Sequence, residues 1–211
     1  MGKFAMVLLA GVLALVLLLG ACGVGKYNEL VGLQQAVDAS WAQVANVYQR
    51  RADLIPNLVA TVQGAAGFEQ STLTAVTEAR ASVGRMQVSG KELINNPEQF
   101  AQWQAAQNSL GSALQRLLVV AENYPDLKAT ANFRDLQAQL EGTENRISVE
   151  RMRYNEVAQA YNTARLRFPA NLVAGIGNFG EKAYFKATAG AEAPPKVEFN
   201  FGGGQSPAPA H

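Results

Sequence analysis

The 211 residues carry 18 basic and 17 acidic side chains, and 48% of the residues are apolar. This near-neutral balance argues against nucleic-acid binding, which needs clustered positive charge to displace counterions, and the sequence lacks a polybasic stripe for anionic lipid. The length predicts one globular domain with flanking segments. The single cysteine excludes an intramolecular disulfide.

Residues 1–21 predict a signal or transmembrane segment. Lys3 is their only charged residue, and Phe4 to Ala21 is an uncharged run of 18 residues. Such a run can span a bilayer core or form the apolar core of a secretory signal. Its end, Leu19-Gly20-Ala21-Cys22, resembles the lipobox of bacterial lipoproteins, in which the signal is cut before the cysteine and the thiol carries diacylglycerol. We therefore expect lipidation of Cys22; the alternative is an incidental cysteine ending an uncleaved spanning helix.

Residues 22–26 are predicted to link this anchor to a long amphipathic helix that covers about 27–86. Its apolar residues recur at spacings of three and four, which is the period of a helix that buries one stripe. They are Leu30, Leu33, Val37, Trp41, Val44, Tyr48, Ile55, Leu58, Val62, Ala66, Leu73, Val76 and Val83. Arg51 falls among them, on the packing side. A buried guanidinium must be paired, so we expect Arg51 to meet Glu144 or Glu150 of the third helix.

Arg50, Asp53 and Asn57 project to the opposite face of this helix, where their i, i+3 and i+4 spacing makes them neighbours. The cluster is either a solvated face with a weak local ion pair or a contact patch for a partner.

Pro56 lacks an amide hydrogen and its ring collides with the carbonyl of Ala52, so we expect a bend or a new helix start there. Gly64 and Gly67 weaken the same region, and a break between about residues 56 and 70 is expected.

A second helix is predicted after Asn95-Asn96-Pro97, with Asn as the cap and Pro at the first helical position. Its stripe comprises Phe100, Trp103, Gln107, Leu110, Leu114, Leu117 and Ala121. Tyr124-Pro125 predicts a tight turn, with Asp126 capping the next helix.

A third helix is expected from about Leu127 to Phe168, where Pro169 ends it. Residues 171–185 are predicted to fold back as one or two short helices, and 189–211 to form an extended and disordered tail. Tyr-Asn pairs recur at 27–28, 154–155 and 161–162, which suggests a helix-packing device.

Few residues could support catalysis. The only histidine is His211, the last residue, so histidine-based nucleophilic triads and zinc sites are not expected. Glu141, Glu144 and Glu150 could form carboxylate pairs, but helix surfaces collect such pairs without function. We expect no enzyme activity, no metal and no cofactor, with a carboxylate-dependent hydrolase as the least favoured alternative.

Several stretches together resemble the LemA family, over about Tyr27 to Phe185. They are YNELV (27–31), RRADLIPNLV (50–59), TEAR (77–80), ENYPDLKA (122–129), QLEGTENRI (139–147) and RYNEVAQAYN (153–162). The resemblance implies an N-terminally anchored, all-α fold, and it brings no agreed biochemical activity. Members of the family often look linked to membrane proteolysis or to membrane compartments of magnetosome-forming bacteria.

The sequence thus predicts an elongated antiparallel bundle of three to four long helices over 27–188, behind an N-terminal membrane anchor. We interpret the protein as a non-enzymatic scaffold or adaptor of the bacterial cell envelope, with the bundle outside the cytoplasm. Its expected partners are the membrane and other envelope proteins, but no nucleic acid. Homo-oligomers are possible, and a membrane-shaping or self-assembling protein is the alternative.

Overall fold

The computed structural model describes residues 2–65, 67–86 and 90–186, and within these ranges the chain is all-α, as predicted, without a strand. The helices are α1 Gly2–Gln63, α2 Gln70–Arg85, α3 Gly90–Asn95, α4 Pro97–Ala121, α5 Pro125–Ala129, α6 Ala131–Leu166 and α7 Ala170–Ile176. The predicted tail at 189–211, and the last two residues assigned to the bundle, lie outside the described residues.

The four longest helices, α1, α2, α4 and α6, form the bundle. Helix α6 packs along α1 in the opposite direction, since Arg51 meets Glu144 while the earlier Tyr48 meets the later Arg151. Helix α4 runs parallel to α1, because Trp41 lies beside Phe100 and Arg51 beside Gln107. Helix α2 follows α1 and packs mainly on α4. The elongated antiparallel bundle is therefore the observed architecture.

Helix α1 is one continuous helix that joins the apolar N-terminal run to the bundle. At 1.5 Å per residue its 62 residues extend roughly 93 Å. It runs through Pro56 without ending, and the break comes later, between the end of α1 and the start of α2, within the predicted interval. Gly67 has φ 77°, a backbone conformation that glycine adopts readily.

The carbonyl that Pro56 leaves without its helical donor is satisfied from outside the helix. Ala52 O accepts a hydrogen bond of 3.3 Å from Arg80 Nε of α2. This contact explains how α1 tolerates an internal proline, which normally deprives the residue four positions earlier of its hydrogen bond.

The bundle contains two separate apolar cores. The core nearer the N-terminal end of α1 is aromatic and centres on Trp41, Phe100, Trp103, Tyr154 and Phe185. The distal core is mainly aliphatic: Ile55, Leu58, Val62, Leu73, Val76, Leu110, Leu114, Leu117, Ala121, Leu127, Phe133 and Leu140. A buried polar layer around Arg51 separates the two cores.

The start of α4 agrees with the sequence prediction, whereas the start of α6 differs from it. Asn96 Oδ1 accepts from the amides of Glu98 and Gln99, which confirms Asn96 as the cap of α4. The expectation that Asp126 caps the third helix is wrong. Asp126 lies inside the short α5, and the hydroxyl of Thr130 caps α6 by accepting from Phe133 N.

After α7 the chain does not form a second short helix. Residues 179–186 instead form an extended segment, here called the strap, which lies along α6 and turns back up the bundle. Asn162 exchanges two hydrogen bonds of 2.9 Å with the backbone of Lys182, and Asn155 does the same with Phe185. Gln104 of α4 holds the backbone of Lys186 in the same way. These side-chain amides replace the neighbouring strand that an extended backbone would otherwise need.

The strap explains two of the three Tyr-Asn pairs. Tyr154 and Tyr161 donate to the carbonyls of Ala183 and Gly180, while the asparagine that follows each tyrosine binds the strap backbone. The pairs are seven residues apart, about 10.5 Å along a helix, which matches the roughly 10 Å that three residues span in extended chain. Because the two spacings match, one face of α6 can hydrogen-bond to the strap at two points.

One lysine of the strap is buried inside the bundle. Lys182 is 2% exposed, and its ammonium donates to Asn95 Oδ1 at 2.6 Å. Burial lowers the pKa of Lys182, because the charged form loses its hydration. The strap is thus fixed by a side chain as well as by its backbone.

We predict that Asn162→Leu destabilises the bundle by roughly 1–3 kcal/mol, because the variant leaves the backbone amide and carbonyl of Lys182 buried and unpaired. Asn28→Leu is the matched control, since Asn28 belongs to the third Tyr-Asn pair but is exposed on α1. Denaturant unfolding of the full chain in detergent measures both. Equal stabilities of the two variants would show that the amide grip does not hold the strap.

Candidate functional site

A buried polar layer built around Arg51 lies between the aromatic and the aliphatic core. Arg51 is 2% exposed, and it projects from α1 toward α4 and α6. A guanidinium presents five N–H donors in a fixed fork, so its acceptors must lie in defined directions. This requirement ties three helices together at one height.

The guanidinium finds its acceptors on both neighbouring helices. Arg51 Nη1 lies 2.8 Å from Glu144 Oε1 of α6. Arg51 Nη2 donates to the backbone carbonyl of Gln107 at 3.1 Å and also to the side-chain carbonyl of the same residue. The guanidinium carbon lies 5.0 Å from the ring centroid of Tyr48, where the π-face adds attraction.

A second arginine extends the layer toward the aromatic core. Arg151 Nε donates to the hydroxyl of Tyr48 at 2.6 Å, and Arg151 Nη2 donates to Asn108 Oδ1 at 3.1 Å. Its guanidinium carbon lies 4.9 Å from the ring centroid of Phe185, so it also covers the strap. Burial raises the pKa of the Tyr48 hydroxyl, although Arg151 opposes the shift. Tyr48 is therefore a neutral hydrogen-bonding group at physiological pH.

The structure places Glu144 and Glu150 in different environments. Glu144 reaches Arg51, whereas Glu150 lies 2.8 Å from the exposed Arg153 on its own helix. Nearly two helical turns separate the carboxylates along α6, so only one can reach the Arg51 layer. Of the two predicted partners, the structure brings Glu144 to Arg51 and does not bring Glu150.

An open polar groove of about 280 Å³ lies over this layer, between α4 and α6. Arg51 and Arg151 line it together with Gln107, Asn108, Gly111, Ser112, Gln115, Glu144, Ile147 and Ser148. Two arginines against one carboxylate make the groove locally positive, and the amides and hydroxyls offer both donors and acceptors. The groove can bind polar groups. Among the described residues, no three His, Cys, Asp or Glu side chains come close enough to hold a metal.

The predicted contact patch lies on the outer face of α1. Arg50, Asp53 and Asn57 are all exposed. Asp53 accepts a hydrogen bond of 2.7 Å from Gln49, and the described part of the chain has no ion pair between Asp53 and Arg50. The patch is thus an open surface whose charges do not neutralise each other by direct contact.

Cys22 is exposed on α1, directly after the apolar run. A helical segment with mean hydropathy 2.8 lies in this part of α1, and none of its residues is buried in the bundle. The thiol is therefore sterically open to modification.

Sequence reasoning missed several members of the layer. Gln107 carried a signal, because it is the one amide in an otherwise apolar stripe of α4. The roles of Tyr48, Asn108 and Arg151 depend on which helices become neighbours, and no local pattern reports that.

Comparison with known proteins gives the family. The model of the LemA family matches residues 40–199, which is more than half of the chain. This chain belongs to the LemA family. It is 26% identical to magnetosome protein MamQ 2 of Paramagnetospirillum magneticum over 184 residues, covering 80% of this chain and 68% of that protein. It is 24% identical to protein LemA of Metamycoplasma hominis over 165 residues, covering 78% of this chain and 71% of that protein.

These relatives and the uncovered apolar part of α1 fit attachment of this LemA-family chain to a membrane. The Arg51 layer lies inside the matched region, since residues 51, 107 and 144 all fall within 40–199.

We predict that Glu144→Ala destabilises the bundle by about 1–3 kcal/mol, because it leaves a buried guanidinium without its carboxylate. Glu150→Ala is the matched control, and it should change the free energy of unfolding by less than about 1 kcal/mol, because its ion pair is a local i, i+3 contact with the exposed Arg153. Thermal or denaturant unfolding of both variants measures the difference. A Glu150→Ala effect as large as that of Glu144→Ala would contradict the assigned pairing.

Proposed function

We propose that this LemA-family chain is a non-enzymatic, membrane-anchored scaffold or adaptor of the bacterial cell envelope. One observation carries the proposal: the described part of the chain does not cover the apolar first part of α1, and the same helix continues into the bundle. From Cys22 onward α1 runs into the bundle without a break, so attachment at the end of the apolar run, by the run itself or by lipid on Cys22, keeps the bundle close to the membrane. This arrangement is better suited to holding a binding surface near the membrane than to turning over a substrate.

The polar groups of the described part support binding rather than catalysis. The groove over the Arg51 layer offers arginines, amides and hydroxyls, and its one carboxylate is already engaged by Arg51. A general acid or base needs a proton-transfer group poised near the operating pH and free to reach the substrate. Recognition of a polar partner needs only the donors and acceptors that the groove provides.

Lipidation of Cys22 is part of the proposal. The exposed thiol at the end of the apolar run suits a signal that is cut before Cys22 and replaced by an acyl anchor. The bundle would then lie outside the cytoplasmic membrane, and its partners would be envelope proteins. The relatives named as magnetosome proteins support a role at a membrane.

We propose the patch formed by Arg50, Asp53 and Asn57 as the partner surface. The three side chains lie on the outer face of α1, so a bound partner would contact the helix that is fixed to the membrane. Unneutralised charges of both signs on one face favour a partner with complementary polar groups.

Site-specific photo-cross-linking in the native cell tests the proposed function. A photoreactive residue at position 53 should give discrete adducts with envelope proteins, whereas one at position 146 should not, although Arg146 is also exposed, on α6. Mass spectrometry identifies the adducts. Adducts only with a second copy of the chain would favour the self-assembling alternative, and identical adduct patterns at both positions would refute a partner surface at the patch.

A further inference from the structure

The end of the bundle nearest the apolar segment exposes an unusual group of large apolar side chains. Leu166, Phe168, Leu172 and Ile176 are 68%, 80%, 59% and 90% exposed, and they fall within 11 residues at the junction of α6 and α7. They are here called the corner. Single exposed apolar residues are normal, but a contiguous group marks an interaction surface.

The corner exists because α7 is apolar on both of its faces. Ala170 and Ala174 point inward and are buried. Leu172 and Ile176 have the same four-residue spacing and point outward, where the described part of the chain does not cover them. A short surface helix of a soluble protein normally carries polar residues on this outer face. Solvation alone therefore does not explain the composition of α7.

The corner lies at the height where the apolar run of α1 has just ended. The ring of Tyr27 lies 5.4 Å from the ring of Phe179, immediately after α7, and Leu30 shares a core cluster with Ala170. Tyr27 is six residues after Ala21, or about 9 Å along the helix. The headgroup region on each side of a bilayer is roughly 5–8 Å thick. The corner therefore lies within reach of the lipid surface.

Basic and aromatic residues complete the pattern of an interfacial segment. Arg167 is exposed beside Phe168, and Lys26 lies on α1 at the same end of the bundle. Long cationic side chains place their charges among headgroups while their stems cover apolar surface, and phenylalanine is common on the apolar face of segments that lie at the membrane boundary. The whole chain need not be basic for a short segment to bind in this way.

We infer that the corner is a second membrane contact, in which Phe168, Leu172 and Ile176 enter the boundary between headgroups and acyl chains. The inference rests on the proposed membrane anchor, which delivers the corner to the lipid. The occupant is lipid rather than a second copy, because the corner has far fewer residues than the roughly 20–30 per side of a stable protein interface. With two contacts, the bundle is fixed in tilt as well as in position.

Tryptophan quenching by brominated lipid tests the contact in the full chain. Phe168→Trp and Ile176→Trp are purified from their membrane and reconstituted in vesicles of phosphatidylethanolamine and phosphatidylglycerol, with or without bromine on the acyl chains near the headgroups. The native Trp41 and Trp103 are buried in the core, so the unsubstituted chain supplies the background emission. Val119→Trp is the matched control, because Val119 is also 68% exposed but lies near the distal end of the bundle.

We expect bromine to quench the added emission at 168 and 176 by about twofold or more, with a blue-shifted maximum, and to leave the emission at 119 unchanged. Equal, weak quenching at all three positions would overturn the inference. A blue shift at 168 and 176 without quenching would also overturn it, because protein would then cover the corner. Flotation of the vesicles distinguishes failure of the corner contact from failure of the proposed anchor. A chain that floats with the vesicles but is not quenched lacks only the corner contact. A chain that does not float lacks the anchor.

Discussion

The arrangement of the bundle depends on the buried Arg51 guanidinium, because its two terminal nitrogens reach their acceptors on α4 and α6 in this alignment of the three helices. Apolar stripes tolerate sliding by a turn, since most apolar contacts can be replaced by others. A buried charge does not, and a single polar position is known to fix the register of packed helices. Glu144 and Gln107 are the acceptors that set this register. The two cores on either side can then differ in composition, one aromatic and one aliphatic.

This register has a consequence at the membrane end of the molecule. From Glu144 to Leu166 helix α6 runs about 33 Å, and from Arg51 back to Tyr27 helix α1 runs about 36 Å. The end of α6 therefore arrives near the start of the bundle on α1, and α7 is placed beside the part of α1 that follows the apolar run. The strap then turns back and is held by Asn155 and Asn162. Because α1 is continuous, the helix register set at Arg51 determines that the α7 end of the bundle faces the proposed lipid surface.

The helical periodicity of the sequence was sufficient for the fold class and the inward direction of Arg51. The Asn-Pro dipeptide indicated the cap at Asn96, and Pro56 with the two glycines after it indicated the break before α2. These features are local, or depend on one stripe facing inward. The strap was not predictable, because its hydrogen bonds join α6 and α4 to residues 19 to 82 positions away. Asp126 was predicted as the cap of the third helix because an Asp next to a Pro is typical of a helix start. In the structure Asp126 lies in the short helix α5, and α6 begins only after Thr130. Which of Glu144 and Glu150 meets Arg51 also required the register, since both lie near the same stripe.

The central claim is that residues before Tyr27 attach the chain to a membrane and the residues after it form the folded, presented part. The most direct measurement is the intact mass of the chain extracted from its native membrane, beside that of a Cys22→Ser variant. We expect a membrane-bound chain that begins at Cys22 and carries lipid there, whereas the variant keeps its uncleaved apolar segment. A chain cut within residues 1–26, without lipid and recovered from the soluble fraction, would contradict the claim.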